Sequence, residues 1–284
     1  MKRIFILMTL FLIACSQEIA PEAVTEIPQA TPPLIVDATT APSVDELQPP
    51  ASLPAGPISM VALGDSLTQG DGDDTGRGYT GRLLEKVNLD RPDSTMTNLG
   101  QSGWNSDALI NGDQGIDSQL TRAVAELQSA VSQGRAAVAF VWIGSNDLWY
   151  LYEYGGDIDE AGDAMDAEHF SSNMDTILKE LRGTGAQVIV AMLDDQSKRP
   201  VALRGEAFTS ITPTELDRMS LQISRYNEII AEKAAQYGAL TVDFSSTDVF
   251  TNPATLYDDG NHPNSAGYDV IAQKWYEALS ALLN

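Results

Sequence analysis

The run Ala136–Ile143 reads AAVAFVWI, eight residues without a polar side chain. A strand with one face in water alternates polar and apolar residues, so an unbroken β-rich run belongs to a strand covered on both faces. Sheets covered in that way are mostly parallel, and parallel strands need a crossover, usually a helix, between one strand and the next. The chain supplies this alternation. Apolar runs at Ile58–Leu63, Ala186–Leu193 and Leu240–Phe244, and a weaker strand signal at Ser94–Asn98, bring the strands to five. Between and after them lie helical patterns at Tyr79–Asn88, Ser118–Gln133, His169–Arg182, Pro213–Tyr237 and Ser265–Leu283. In Ser118–Gln133 the apolar residues Leu120, Val124, Leu127 and Val131 recur at steps of three and four, and Gly238 stops the helix that Pro213 opens. The order implies an α/β fold with helices on both sides of a parallel sheet. Asp194–Thr212 has no periodicity and is free to fold over a site.

The first part of the chain has a different character. Lys2 and Arg3 precede an apolar stretch, Ile4–Ala14, too short to span a bilayer comfortably. The stretch ends in Leu12-Ile13-Ala14-Cys15, and Cys15 is the only cysteine in the chain. This ending resembles the lipobox of bacterial lipoproteins, which implies cleavage before Cys15 and a lipid on it. Residues 16–57 hold nine of the fourteen prolines, six acids and neither Lys nor Arg. That composition cannot bury a core and is expected to form an extended, mobile tether. The expected organisation is therefore a signal peptide at 1–14, a lipidated Cys15 with its tether to 57, and a globular part at 58–284. Such a protein would sit on a membrane of a bacterial cell envelope, facing the periplasm or the exterior. The net charge of −23 excludes nucleic acid as a partner, because binding it requires neutralised phosphates. Oligomeric state is not legible.

In a doubly wound sheet the loops after the strands open on one edge. Four polar segments fall there: Gly64-Asp65-Ser66 after the first strand, Asn98-Leu99-Gly100-Gln101-Ser102-Gly103 after the second, Gly144-Ser145-Asn146-Asp147 after the third, and Asp259-Gly260-Asn261-His262-Pro263 before the last helix. In this order they resemble the four blocks of the GDSL or SGNH hydrolases, and the resemblance covers essentially all of 58–284. It implies a flavodoxin-like three-layer α/β/α sandwich around a parallel sheet of about five strands. It also implies cleavage of carboxylic esters through an acyl-serine intermediate, with no metal or organic cofactor.

A serine hydroxyl becomes nucleophilic only when a base takes its proton. Of the two histidines, His169 has no catalytic block around it, whereas His262 lies three residues after Asp259, close enough for that carboxylate to orient its ring. The resemblance makes Ser66 the nucleophile, His262 the base and Asp259 its partner, with Asp258 a rival disfavoured by spacing. It assigns the oxyanion donors to the backbone N–H groups of Ser66 and Gly103 and the side-chain amide of Asn146. Asp65 and Asp147 are expected to tie loop N–H groups. Trp104 and the aromatic-rich stretch with Leu148, Trp149 and Tyr150 are expected to wall the substrate pocket. The substrate is a small-molecule, glycan or lipid ester, and carbohydrate deacetylation, lysophospholipid or thioester hydrolysis, or plain glycan or lipid binding are alternatives.

Two acidic loops carry carboxylates at spacings that suggest cation sites. The one at Asp71-Gly72-Asp73-Asp74 is rejected because its twelfth position is Arg82. The other matches positions 1, 3, 6 and 12 of an EF-hand loop with Asp157, Asp159, Gly162 and Glu168, but places Ala161 at position 5. A solvated acidic loop is the expectation there.

Overall fold

A computed structural model describes residues 50–156, 158–205 and 207–283. Cys15, the expected signal peptide and most of the expected tether lie outside the described residues. Five strands form one all-parallel sheet: β1 (Ile58–Gly64), β2 (Thr95–Asn98), β3 (Ala136–Trp142), β4 (Gln187–Met192) and β5 (Leu240–Asp243), in the order β2-β1-β3-β4-β5. β1 and β3 pair over their whole length, from Ile58 opposite Ala136 to Gly64 opposite Trp142. Every residue of β3 is buried, as its unbroken apolar run requires.

The helices are α1 (Ser66–Gln69), α2 (Gly78–Asp90), α3 (Ser106–Asn111), α4 (Gln119–Ser132), α5 (Ser145–Tyr154), α6 (Glu160–Gly183), α7 (Pro200–Arg204), α8 (Pro213–Tyr237) and α9 (Ser265–Ser280). α2 packs with α9, and α4 and α8 pack with α6, so the two sets form the outer layers of a three-layer sandwich. On the first face, Trp142 stacks on Phe244 with ring centres 4.2 Å apart, and Trp275 meets Tyr79 and Phe140 at 5.6 and 5.4 Å. On the other, Phe170 of α6 stacks on Tyr226 of α8 at 3.8 Å. The chain passes from β1 outward to β2, then back across β1 to β3. This places the topological switch point, where open α/β sheets bind ligands, at the carboxyl ends of β1 and β3.

Four elements differ from the sequence reading, each for a local reason. α6 starts nine residues before His169 (at Glu160), because Asp159 caps it by accepting from the Gly162 N–H, and Glu160 and Asp163 favour the positive end of the helix dipole. α5 begins inside the Gly144-Ser145-Asn146-Asp147 block itself. Among its described residues the stretch Asp194–Thr212 is not irregular throughout. It forms a 3₁₀ turn at Gln196–Lys198 and then α7, and braces the loop before α9: the Val201 N–H donates to Gly260 O at 3.0 Å, and Arg204 Nη2 to Asp259 O at 2.5 Å. The end of the proline-rich segment is also part of the fold. Leu53 is buried in the core and its N–H donates to Leu282 O at 2.7 Å.

Candidate active site

Ser66 is the first residue of α1, directly after β1. Its N-cap is Asp65, whose Oδ1 accepts from the Leu67 N–H at 3.0 Å. Asp65 is buried, and burial pushes its carboxyl up to about 6 against the pull of the Leu67 N–H and of the charges on Arg199 and His262. The Ser66 Oγ lies 2.9 Å from His262 Nε2, across 196 positions of sequence. His262 Nδ1 lies 2.6 Å from Asp259 Oδ2. Asp259 Oδ1 also accepts from the backbone N–H groups of Asn261 and His262, at 2.8 and 3.0 Å. Burial alone would raise the Asp259 pKa, but these bonds from His262 and Asn261 outweigh it and hold the carboxyl at about 2. Asp259 is therefore ionised at every pH where the ring can act as a base. Asp258 makes none of these bonds.

The loop after β2 approaches Ser66 closely. A Cβ on Gly100 would stand 2.3 Å from Gln69 N, so only glycine lets this loop reach α1. The Gln101 N–H donates to Gly64 O at 3.1 Å, and the Ser102 N–H to Gln69 Oε1 at 2.7 Å. Gly103 follows at φ +79°, a conformation that disfavours other residues. Among the described residues its N–H has no hydrogen-bond partner, which leaves that donor open. Asn146, in the first turn of α5, uses one Nδ2 hydrogen on Trp104 O at 2.9 Å and keeps a second. Ser66 N, at the first turn of α1, belongs to the orphan donors of a helix start. Four segments at the sheet edge thus gather a hydroxyl, a base with its carboxylate, and three N–H groups without charge. This arrangement can deprotonate a serine and stabilise an oxyanion, the requirements of acyl transfer.

Asp147 accepts from the Ser106 N–H at 3.0 Å and also from its hydroxyl, tying α5 to α3. Burial pushes its carboxyl up to about 7, although the Ser106 bonds favour the ionised form. Asp65 and Asp147 therefore serve the loops, as expected. They also set a pH dependence. An unfolded aspartate titrates near pH 3.9. From about pH 4 up to about 6 for Asp65 and about 7 for Asp147, the folded chain holds a proton that the unfolded chain has released, so stability falls as pH rises through that window. Below pH 4 the depressed carboxyls of Asp73 and Asp259 work the other way, losing stability as they are protonated. The urea midpoint should thus be higher at pH 5 than at pH 8, and an Asp65→Asn variant should show a smaller difference. An equal midpoint at both pH values would refute this account.

The expected pocket residues divide. Trp104 and Tyr150 line a cleft of about 570 Å³ that opens beside Gly103. Leu148 and Trp149 do not wall it. Both are fully buried, and Trp149 stacks on Phe208 with ring centres 4.1 Å apart. The reason is the helix: Asn146 and Tyr150, four apart, share one face of α5, while Leu148, Trp149 and Tyr152 turn toward the core. Of the acidic loop's candidate ligands, the two among the described residues lie apart. Asp157 lies outside the described residues, Asp159 is spent capping α6, and Glu168 sits nine residues up that helix, about 13 Å along its axis. No group of acidic, His or Cys side chains that could hold a metal ion occurs among the described residues. Asp73, in the rejected loop, is paired with Arg82.

Some contributors were not singled out in the sequence. Gln119, buried at the start of α4, clasps Gly64 by accepting from its N–H at 2.8 Å and donating to its carbonyl at 2.9 Å. An amide on the buried face of an apolar helix was the available signal. Arg199 is buried against Asp194 at 2.6 Å and donates to Asn261 Oδ1 at 2.9 Å, bracing the histidine loop.

Residues 62–270 match the model of the GDSL-like lipase/acylhydrolase family. The chain belongs to this family. It is accordingly a carboxylic ester hydrolase of the GDSL type. An uncharacterised protein of Bacillus subtilis (strain 168), YpmR, is 25% identical over 229 residues, covering 78% of this chain and 81% of that one. A multidomain esterase of Ruminococcus flavefaciens is 23% identical over 257 residues, covering 83% of this chain but 30% of that protein. Among solved structures, the acetylxylan esterase Axe2 of Geobacillus stearothermophilus superposes with a TM-score of 0.53 at 17% identity, covering 80% of this chain and 96% of that one. At that identity the likeness is one of fold.

Proposed function

We propose that this hydrolase removes short acyl groups, acetyl foremost, from the hydroxyls of a glycan. In this reading His262 Nε2 takes the Ser66 proton as Oγ attacks the ester carbonyl, and the oxyanion meets the N–H groups of Ser66, Gly103 and Asn146. The intermediate collapses as His262 returns the proton to the departing sugar hydroxyl, leaving an acyl-serine. Water, deprotonated by the same ring, then releases the acid. The observation that carries the substrate class is the cleft beside Gly103. Its walls are side chains such as Gln101, Asn105, Asp107, Asn111 and Asp113, with Tyr150 along one side and no Lys, Arg or His. Amides and carboxylates pair with sugar hydroxyls, and an aromatic ring offers a stacking face, whereas a long acyl chain needs continuous apolar wall. The acetylxylan esterase Axe2, similar in fold, supports the same direction.

The test is hydrolysis of p-nitrophenyl esters from acetate to palmitate, with acetate release from an acetylated oligosaccharide in parallel. Acetate should be the preferred acyl group by at least about tenfold, since a longer chain laid on this wall would cover amides and carboxylates without pairing them, at a cost of roughly 1–3 kcal/mol each. A palmitate optimum would replace this reading with lipid-ester hydrolysis. The same reading places the enzyme on a bacterial envelope membrane through a lipidated Cys15, and the intact mass of the mature protein tests that anchor.

A further inference from the structure

Asn146 and Tyr150 reach the same loop from one face of α5. The Asn146 side chain donates to Trp104 O at 2.9 Å, and the Tyr150 hydroxyl donates to the preceding carbonyl, Gly103 O, at 2.7 Å. Two successive peptide units are thus gripped by two side chains one helical turn apart. On the N-terminal side the Ser102 N–H is held on Gln69 Oε1, while the Trp104 N–H, in the same peptide unit as the Gly103 carbonyl, closes a turn onto Gln101 O. Between these anchors lies Gly103, at φ +79° and without a side chain. A residue with that freedom does not aim its own N–H, because glycine populates several backbone wells at similar cost. The Tyr150 hydroxyl oxygen stands where a Cβ on Gly103 would be only 3.3 Å away, so it also limits where the glycine can swing.

We propose that Tyr150 is a positioning residue for the oxyanion donor of Gly103, its hydroxyl pinning the Gly103 carbonyl so that the neighbouring N–H stays aimed at the charge developing on the substrate. This rests on the acyl-serine reading above. The phenol is suited to the task because it stays a donor: burial, then the charges of Tyr154, Asp65, Asp113 and Asp147, hold its ionisation above the ordinary tyrosine range. An interaction that acts only on the oxyanion lowers kcat and leaves ground-state binding alone. Losing the aim of one donor costs less than removing it, which is worth about 10²–10³ in kcat.

Tyr150→Phe keeps the ring in the cleft and removes only the hydroxyl. With p-nitrophenyl acetate its kcat should fall about tenfold while KM stays within about twofold, and the inhibition constant of a boronic acid, whose serine adduct mimics the tetrahedral oxyanion, should rise in step with the loss in kcat/KM. An unchanged kcat would overturn the proposal, as would a rise in KM alone with boronate affinity intact, the pattern of a mere cleft wall. If Tyr150→Phe folds poorly, difluorotyrosine at position 150 preserves shape while its phenol ionises at lower pH. The alkaline limb of kcat should then move to lower pH, and an unmoved limb would overturn the proposal. Ser66→Ala, assayed alongside, separates the two readings: full activity in that variant would remove the serine mechanism and the clamp together, whereas an inactive Ser66→Ala beside an unaffected Tyr150→Phe would remove the clamp alone.

Discussion

Replacing Ser66 with alanine should lower kcat by about 10⁴–10⁶ and leave the fold intact. The size follows from what the hydroxyl does. It is the atom that would bond to the acyl carbon, and water in its place must be activated and oriented afresh. The fold should tolerate the change because, among the described residues, the Ser66 side chain makes one hydrogen bond, to His262 Nε2. His262→Ala should cost about as much, and the double variant little more than either alone, because nucleophile and base act as one unit. Asp259→Ala should cost less, about 10²–10⁴, since its side chain orients the ring and steadies its charge without touching substrate. Steady-state kinetics on p-nitrophenyl acetate, with thermal melts of each variant, measure all four. Losses that added up independently, or a Ser66→Ala enzyme within tenfold of wild type, would mean another residue carries the acyl group.

The parts of this site legible in the sequence are those where backbone geometry and chemistry demand the same few residue types. Ser66 sits behind Gly64 and Asp65 because a strand must turn at once into a helix whose first N–H groups need a cap, and Asp65 provides one. His262 and Asp259 are three apart because a ring and a carboxylate in one turn can meet at 2.6 Å. What escaped reading was contact between distant helices. Nothing in LWYLYEY announces that Tyr150 faces a cleft while Trp149 faces the core, until the residues are known to be helical and their period assigns the faces. The same holds for Gln119, whose partner Gly64 is 55 residues away.

The strands were legible to within about two residues because all but β2 are dense β-rich runs bounded by polar loops. The helices were less so where charge masked period. α6 begins with acids and a glycine that conceal its apolar side, and its start is decided by a cap at Asp159. Proline content misled in one place. The segment before β1 reads as tether throughout, yet Leu53 enters the core, and Arg91 holds the chain there by donating to Pro54 O and Gly56 O at 2.9 and 3.1 Å.

Arg82→Met should be strongly destabilising although it lies outside the active site, by about 3 kcal/mol, with a fall of roughly 10 °C in melting temperature. Arg82 is sealed from solvent just beneath the surface, its side chain 3% exposed and that of its partner Asp73 fully covered. Its Nη1 meets Asp73 Oδ2 at 2.5 Å and Gly78 O at 2.9 Å, its Nε meets Asp269 Oδ1 at 2.6 Å, and its Nη2 meets Ser265 Oγ at 2.7 Å. One guanidinium therefore joins the loop after α1 to the starts of α2 and α9. Methionine fills much of the space but strands the Asp73 carboxylate, and a buried charge left alone costs about 3–5 kcal/mol. The lower end applies because Asp73 still accepts from the N–H groups of Thr75, Arg77 and Gly78 and the hydroxyl of Thr75. Removing both charges, with Asp73→Asn added to Arg82→Met, should recover part of the loss, and a double-mutant cycle in urea reads that coupling. Additive losses would show the pair to be independent. Acid should expose the same pairing. With the arginine present, Asp73 is held well below the usual carboxylate range, so its contribution is complete above about pH 4 and fades only in strong acid. Without it the carboxyl takes up a proton sooner, and the gap between variant and wild type should narrow as pH falls below 4. The consequence reaches the active site through the backbone of the same loop, because Gly72 packs so closely on His262 that a Cβ there would lie 2.9 Å from the histidine Cβ. Loosening this loop should therefore cost activity at temperatures where the fold itself still holds.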